Sequence, residues 1–280
     1  MLSAVYQIQV PATVPEDTTG CHLYIDIGAD HLTFMVLNTA EREFLALQQF
    51  NLEKYNALTH CREVVSHNEW LNKSYDRTII AYNFSDSILV PEKFYMPAIN
   101  EPSLSLVYGD MNKGKQFVDH VAEWELYHIY RVPEVLHNIF AAHFPSAEFV
   151  HSYSCFLKTK KQSIHETGDE LNAVFYNNKL IISLFKDGNL QLMRSFEYET
   201  SEDVAYHLLN ICRRFDVDCE KVILVISGLI DDHSAVYAEL QKYFLLLQLD
   251  QRPADFKYSE VFDEYPPHFF TSIFNAALCG

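Results

Sequence analysis

Glycine is scarce in this sequence, with 8 glycines in 280 residues, against a usual share of roughly 7%. Loops that hold phosphate groups use glycine because the missing side chain lets backbone N–H groups approach the ligand closely. The composition therefore excludes a protein with a rich set of phosphate-binding loops before any motif is considered.

Basic residues are also few, with 21 Lys and Arg against 38 Asp and Glu and a formal net charge of −17. Such a charge repels the backbone of nucleic acids and anionic membrane surfaces. No stretch approaches the roughly 18 uninterrupted apolar residues that a membrane span needs, and residues 1–10 carry no signal-peptide pattern. We therefore predict a cytoplasmic protein that neither binds nucleic acid nor inserts into a membrane.

Pairs of metal-ligating residues are missing as well. None of the six cysteines belongs to a Cys-x-x-Cys pair, and the chain carries no secretory signal, so we expect reduced thiols. Five histidines between residues 120 and 151 follow one another at intervals of eight, nine, six and eight, which does not match zinc-ligand spacing. We expect hydrogen-bonded or surface histidines and no metal site; the histidines are His120, His128, His137, His143 and His151.

Three apolar runs with strand character lie near the start of the chain, at residues 23–27, 32–37 and 44–50. Short polar turns join them, which predicts an antiparallel meander. Further on, the apolar spacing favours helices at 55–72 and 133–144 and strands at 78–82, 87–90 and 149–153.

The same order restarts after a polar region at residues 158–170. Asp187-Gly188 is a strong hairpin signal between the second and third strands of the new set. Glu202 and Asp203 follow Thr200 and favour the start of a helix there. The predicted elements are strands at 171–176, 179–185, 190–198 and 221–226, and helices at 200–215, 234–247 and 269–278.

Residues 31–34 align with residues 179–182 at an offset of 148, about half of the chain. We interpret this offset as a duplicated architecture with little residue identity. The sequence therefore predicts an α/β protein of two lobes, each a mixed β-sheet with flanking helices. The first lobe is predicted at 1–165 and the second at 166–280.

This layout resembles the actin-like ATPase superfamily, which has a ribonuclease H-like fold and includes components of pilus and secretion machines. Ile25-Asp26-Ile27-Gly28 resembles its first phosphate motif, and Ser227-Gly228 resembles part of its adenosine motif. The resemblance implies that Asp26 acts through nucleotide-bound magnesium and that Gly28 and Gly228 shape the pocket. The chain is also similar to an uncharacterised bacterial family with this fold, on Leu89-Val90-Pro91 with Phe94, Phe144-Pro145, His151, Phe196-x-Tyr198-x-Thr200-x-x-Asp203-x-x-Tyr206 and Ile226-Ser227-Gly228.

The chain departs from the superfamily pattern in each nucleotide element. Under the half-chain alignment, the Asp and Gly of the second phosphate motif are replaced by Val174 and Tyr176. The adenosine motif keeps one glycine of its usual pair, because Leu229 follows Gly228. The first motif lacks the Thr, Ser or Lys that usually follows its glycine and continues instead as Ala29-Asp30-His31. The resemblance therefore implies a degenerate nucleotide site.

Two other segments have competing interpretations. Asp231-Asp232-His233 precedes a predicted helix, and its Asp residues favour helix initiation over a catalytic Asp–His pair. Residues 265–270 combine two adjacent prolines with flanking aromatic side chains. This segment is suited to packing on the other lobe or on a partner protein, and the sequence does not choose between them.

We predict from these observations a non-catalytic binding or assembly protein with an actin-like fold, no cofactor and a protein partner. The acidic, aromatic-rich composition supports the partner, since Tyr and Phe are enriched at the centres of interfaces. The alternative is an active Mg–ATP-dependent ATPase or small-molecule phosphotransferase. In that case Asp26, Gly28, Ser227 and Gly228 would contact the nucleotide. The sequence names neither the partner nor the oligomeric state.

Overall fold

The computed structural model describes residues 2–53, 55–109, 114–164 and 168–279. Its contacts divide the chain into two compact units. The first unit contains Met1–Thr159, Ala254–Glu264 and Asn275–Gly280, and the second contains Lys160–Pro253 and Tyr265–Phe274. The boundary predicted between residues 165 and 166 lies outside the described residues.

The first unit is built on a six-stranded sheet in the order β1-β4-β3-β2-β5-β9. The predicted meander is confirmed, because β2, β3 and β4 pair antiparallel in sequence order. Strand β5 then pairs parallel with β2, and β9 pairs parallel with β5. Nearly every residue of the central strands is buried, as expected for strands covered on both faces. The strands are β1 (Tyr6–Gln9), β2 (Cys21–Gly28), β3 (His31–Asn38), β4 (Glu43–Asn51), β5 (Arg77–Asn83) and β9 (Glu148–His151).

Helices α1 and α3 of the first unit contribute apolar side chains to the core of this sheet. The helices of this part of the chain are α1 (Ala57–His67), α2 (Asn100–Tyr108), α3 (Glu134–His143) and α4 (Ser152–Ser163). The prediction that the first helix continues to residue 72 was wrong, because the backbone of Asn68 is already extended. The strand predicted at 149–153 ends at His151, and the polar residues that follow begin α4.

A separate three-stranded sheet, in the order β6-β8-β7, also belongs to the first unit. All its strand pairs are antiparallel. Helix α2 packs on this sheet through Leu104, which is fully buried, and through Tyr108, whose hydroxyl donates a hydrogen bond to the Ser87 carbonyl at 2.8 Å. The strands are β6 (Ser87–Pro91), β7 (Lys115–Val121) and β8 (Leu126–Val132).

The second unit contains a five-stranded sheet in the order β12-β11-β10-β13-β14. Asp187 and Gly188 both have positive φ, 48° and 71°, as the predicted tight hairpin requires. The run predicted as a helix to residue 247 is a short helix followed by strand β14, which pairs parallel with β13. The elements are β10 (Asp169–Phe175), β11 (Lys179–Lys186), β12 (Asn189–Glu197), β13 (Ile223–Gly228), β14 (Leu246–Leu249), α5 (Ser201–Phe215) and α6 (Ala235–Leu240). Helix α7 (Thr271–Cys279) begins in this unit, and its residues from Asn275 onward belong to the first unit.

The two larger sheets share one topology and one register. Each begins with an antiparallel meander, continues through a helix, and adds two parallel strands beside the first strand. Strands β3 and β11 begin at His31 and Lys179, which are separated by the predicted offset of 148. Asp26 pairs with Thr33 in one sheet, and Val174 pairs with Ile181 in the other at the same offset. The predicted duplication is therefore confirmed.

Candidate functional site

The first candidate element is the hairpin that joins β2 to β3. Asp26 lies near the end of β2 with 3% of its surface exposed, and His31 begins β3 with 1% exposed. The imidazole of His31 lies between two carboxylates. Its Nε2 is 3.6 Å from Oδ1 of Asp26, and its Nδ1 is 2.9 Å from Oδ1 of Asp30.

The charge of His31 follows from these neighbours. Burial lowers the pKa of His31, but hydrogen bonds and the negative charges of Asp26 and Asp30 outweigh burial and raise the pKa above its usual value. The protonated imidazole is thus favoured in the folded protein. The carboxylates of Asp26 and Asp30 therefore stabilise the charged form of the His31 imidazole.

Gly28 is required by the same imidazole. A Cβ at this position would collide with Cε1 of His31, and it would lie 2.8 Å from Nδ1 of His31 and 3.2 Å from the carbonyl oxygen of Asn83. Real Cβ atoms essentially never come within 3.0 Å of such atoms. The glycine of this motif therefore makes room for a side chain and for the end of β5.

The second unit carries a different set of side chains at the equivalent positions. Val174, at the register position of Asp26, is 8% exposed and pairs with Ser227 across the parallel strands. Tyr176 follows the end of β10 and is 6% exposed. Its backbone N–H donates to the Lys179 carbonyl at 2.8 Å, and its carbonyl accepts from the Tyr198 hydroxyl at 3.1 Å. This turn is closed by its own hydrogen bonds.

Ser227 and Gly228 end strand β13. Gly228 has a φ of +85°, and a Cβ there would collide with the backbone of Phe175. The N–H of Gly228 donates to the His268 carbonyl at 2.8 Å, and the His268 ring contacts the Ile230 carbonyl at 2.7 Å through Nε2. Residues 265–270, whose packing was left open by the sequence, are thus docked on the Gly228 loop of their own unit.

The sequence-based site residues are placed in two groups. Asp26 and Gly28 belong to the first unit, and Ser227 and Gly228 belong to the second. The sequence analysis did not assign a role to His31, which the structure places at the centre of the first group. The sequence did contain an indication of this role. Asp30 and His31 follow Gly28 in a region where the resembling superfamily has Thr, Ser or Lys.

Two segments singled out in the sequence have a structural role at the start of a helix, and the first of them belongs to the motifs of the resembling bacterial family. The Thr200 side chain accepts a hydrogen bond from the N–H of Asp203, and the Asp203 carboxylate accepts one from the N–H of Thr200. These contacts form a capping box at the start of α5. The acid at Asp231 accepts a hydrogen bond from the N–H of His233, and Ser234 caps α6, so this segment initiates a helix as predicted.

The five clustered histidines make hydrogen bonds. Three of them are buried, and burial lowers the pKa of His128 to about 3, so that its imidazole is neutral. Within the ranges that the structure describes, no group of three or more His, Cys, Asp and Glu side chains is arranged to hold a metal ion. Their partners are Glu92 for His120, Ser154 for His128, Tyr82 and Lys115 for His137, Leu71 for His143 and Phe84 for His151.

Comparison with known proteins places the chain in a family. The model of the family described as "Protein of unknown function (DUF3822)" matches residues 12–245. The chain belongs to this family. No curated protein matches the sequence. Among the described residues of this DUF3822 member, no helix combines the length and apolar composition needed to cross a membrane.

Solved structures confirm the actin-like ATPase fold. A Bacteroides thetaiotaomicron protein with this fold and unknown function superposes with a TM-score of 0.76, at 18% identity, covering 82% of this chain and 91% of that one. A chain of the PilM–PilN type IV pilus biogenesis complex gives 0.57 at 11% identity, covering 95% and 99%. The ethanolamine utilization protein EutJ from Carboxydothermus hydrogenoformans gives 0.52 at 10% identity, covering 97% and 93%.

Proposed function

We propose that this protein is a non-catalytic binding or assembly protein that docks another protein and does not use a nucleotide. The observation that carries the proposal is the position of His31. Its imidazole fills the space beside Gly28 and faces the carboxylate of Asp26, so the residues that resemble a phosphate motif are engaged with the chain itself.

The residues of the second unit support the proposal that the protein binds no magnesium–nucleotide complex. Mg²⁺ in nucleotide sites is held through oxygen ligands, chiefly carboxylates and water. Val174 offers no oxygen at the position equivalent to Asp26, and it is buried. We infer that neither half of the duplicated motif fits a magnesium–nucleotide complex.

The segment between β6 and the end of α2 supports protein binding. Four of its large apolar side chains are exposed by more than half of their surface, which is costly unless a partner covers them. Leu106 and Val107 lie on α2, beyond the buried Leu104. The exposed fractions are 63% for Phe94, 61% for Met96, 88% for Leu106 and 52% for Val107.

The charge of the chain indicates the chemistry of that partner. A net charge of −17 favours association with a basic molecule and repels an acidic one. We therefore propose an amphipathic protein segment with apolar anchors and flanking Lys or Arg residues. The fold likeness to a chain of the PilM–PilN complex is consistent with this proposal, since that fold there takes part in an assembly.

Calorimetry with ATP and Mg²⁺ separates this proposal from the ATPase alternative. The alternative is favoured by one observation, a buried Asp26 at the end of the first strand of the meander, two residues before Gly28. We expect no heat of binding at millimolar nucleotide for wild type or for Asp26→Ala. Micromolar binding that Asp26→Ala abolishes would establish the nucleotide-dependent enzyme instead.

The docking surface is tested with a labelled Leu/Lys amphipathic peptide in a fluorescence anisotropy titration. We expect saturable binding that Leu106→Asp together with Phe94→Asp weakens at least tenfold. Tyr206→Asp is the matched control, because Tyr206 is 65% exposed but lies on α5 of the second unit. Equal losses in both variants, or equal binding of an acidic Leu/Glu peptide, would contradict the proposed surface.

A further inference from the structure

Helices α4 and α7 contact each other along faces that each carry a cysteine. The hydroxyl of Thr159 donates a hydrogen bond to Oδ1 of Asn275 at 3.3 Å. The thiols of Cys155 and Cys279 lie four residues from this contact on their helices, and each changes the pKa of the other. Residues four apart lie on the same helix face. Two thiols distant in sequence are therefore held side by side, and both belong to the first unit.

The two thiols differ in their access to small molecules. Cys155 is 1% exposed and buried between the helices. Cys279 is partly exposed and lines a cavity of about 230 Å³. The charged and titratable side chains that line the same cavity are Arg77, which is paired with Glu148, and Asp119, His120 and Lys158. A solute that enters this cavity meets the sulfur of Cys279.

The two thiols also differ in acidity. The hydrogen bond from Cys155 lowers the pKa of Cys279; burial opposes this effect, and the positive charge of Lys158 lowers the pKa further. Asp119 and Glu123 act in the opposite direction, but the pKa of Cys279 remains below its usual value. The same hydrogen bond, together with burial, raises the pKa of Cys155. The accessible sulfur is thus the more acidic of the pair and the one that more readily forms the reactive thiolate.

We propose that Cys279 and Cys155 form a reversible disulfide pair that exchanges with low-molecular-weight disulfides bearing carboxylates, such as glutathione disulfide. The Cys279 thiolate attacks one sulfur of the small disulfide, which breaks its S–S bond and releases one small thiolate. The Cys155 sulfur then attacks the Cys279 sulfur of the mixed disulfide. Its proton passes to the second small thiol as that thiol leaves, and the Cys155–Cys279 bond closes. Two protein sulfurs are oxidised and one small disulfide is reduced to two thiols.

A carboxylate on the small disulfide would face Lys158, which lines the cavity and whose positive charge acts on the sulfur of Cys279. The closed bond would join residues 155 and 279 across a loop of about 125 residues, and long loops lose the most chain entropy when they are cross-linked. The oxidised protein should therefore unfold at a higher temperature than the reduced protein. This inference does not depend on the proposed partner.

A second cysteine pair provides an internal comparison. Burial raises the pKa of Cys212 in the second unit, and the neighbouring Cys219 raises it further. Neither residue lines the cavity at Cys279. Cys61 is fully buried, and burial raises its pKa to about 12, so it serves as an unreactive reference.

The test uses the full chain in glutathione buffers of graded redox ratio, quenched in acid, alkylated and mapped by mass spectrometry without reduction. In wild type we expect a cross-linked peptide pair that contains Cys155 and Cys279, and a melting temperature several degrees higher when it forms. In Cys155→Ser we expect glutathione to accumulate on Cys279 at least tenfold more than on Cys61. In Cys279→Ser we expect Cys155 to remain unmodified.

The proposal is overturned if no Cys155–Cys279 peptide forms at any glutathione ratio, or if Cys155 is modified equally in Cys279→Ser. Circular dichroism verifies that each variant is folded. If Cys155→Ser does not fold, brief exposure of wild type to glutathione disulfide should trap the mixed disulfide on Cys279. A trapped adduct on Cys155 before Cys279 would contradict the assigned order.

Discussion

The imidazole of His31 lies directly against Gly28, so that its Nδ1 would be 2.8 Å from the Cβ of any other residue at position 28. An apolar-Asp-x-Gly hairpin is therefore stabilised here by close packing and by the contacts of one imidazole with two carboxylates. The pairing of His31 with Asp26 and Asp30 should make the stability of the hairpin decrease as the pH rises.

We expect His31→Gln to destabilise the protein by about 2 kcal/mol near pH 6, the order of a charged hydrogen bond. The pKa of His31 is raised in the folded state, so the pairing is complete below the unfolded value of about 6.5. This stabilisation is lost as the pH rises through the folded-state pKa. Thermal melts between pH 6 and pH 9 should show the gap between wild type and variant narrowing.

His233→Gln is the matched control for this measurement. The His233 side chain is 91% exposed, and its nearest carboxylate oxygen, on Asp232, is 3.7 Å from Nε2. We expect its melting temperature to follow wild type throughout the pH range. A gap for His31→Gln that widens with pH would show that the imidazole is neutral in the folded protein.

Gly228→Ala should destabilise the second unit by more than about 3 kcal/mol. An alanine at φ +85° costs roughly 1–2 kcal/mol, and its Cβ would also collide with the backbone of Phe175. Gly20→Ala is the control, because Gly20 has a φ of +75° and open space around it. In urea unfolding, the control should lose about 1 kcal/mol of unfolding free energy. An equal loss in Gly228→Ala and Gly20→Ala would show that the collision with Phe175 adds nothing.

Val174→Asp should destabilise the protein by about 3 kcal/mol or more, because it buries a carboxylate at a position that is 8% exposed. Val174→Thr, whose side chain has nearly the same shape as valine, should lose about half as much stability as Val174→Asp. Neither variant should gain ATP hydrolysis in a phosphate-release assay. Hydrolysis by Val174→Asp would show that the rest of the nucleotide machinery is intact.

Thr200→Ala should remove about 1 kcal/mol of stability, since the Thr200 hydroxyl caps the first turn of α5. Thr200→Ser retains the capping oxygen, so its free energy of unfolding should lie within a few tenths of a kcal/mol of that of wild type. Chemical denaturation of both variants measures the difference. A loss in Thr200→Ser as large as in Thr200→Ala would assign the effect to the methyl group.

The sequence predicts the duplicated core because strand periodicity is local and strong there. Residues 23–27 and 179–185 lie within β2 and β11, and Asp187-Gly188 has the positive φ values that its turn type demands. The helix predicted at 234–247 extends two residues into β14, in a Leu-rich run whose residue type favours helices. The strand form of β14 depends on pairing with β13, which is a tertiary contact. The hairpin of β7 and β8 was missed altogether.

The candidate site was predictable in its residues but not in its contacts. Asp26, Gly28 and Gly228 could be identified from the motifs, and each is buried or sterically constrained in the fold. That the ring of His31 lies on Gly28 depends on how tightly the β2–β3 hairpin turns. Likewise, the contact of His268 with Gly228 joins residues 40 positions apart, which periodicity does not reveal.

Among the residues that the structure describes, strand β1 has no counterpart in the second sheet, and this difference affects where the chain tolerates truncation. Strand β4, which pairs with β1 in the same sheet, is buried along most of its length. Strand β12, at the equivalent edge of the second sheet, has every residue at least partly exposed to solvent. Deleting residues 2–10 would uncover the N–H and C=O groups of an apolar strand, which is a template for self-association. The polar side chains of β12 protect that edge from self-association, whereas the edge of β4 is protected by its pairing with Tyr6–Gln9.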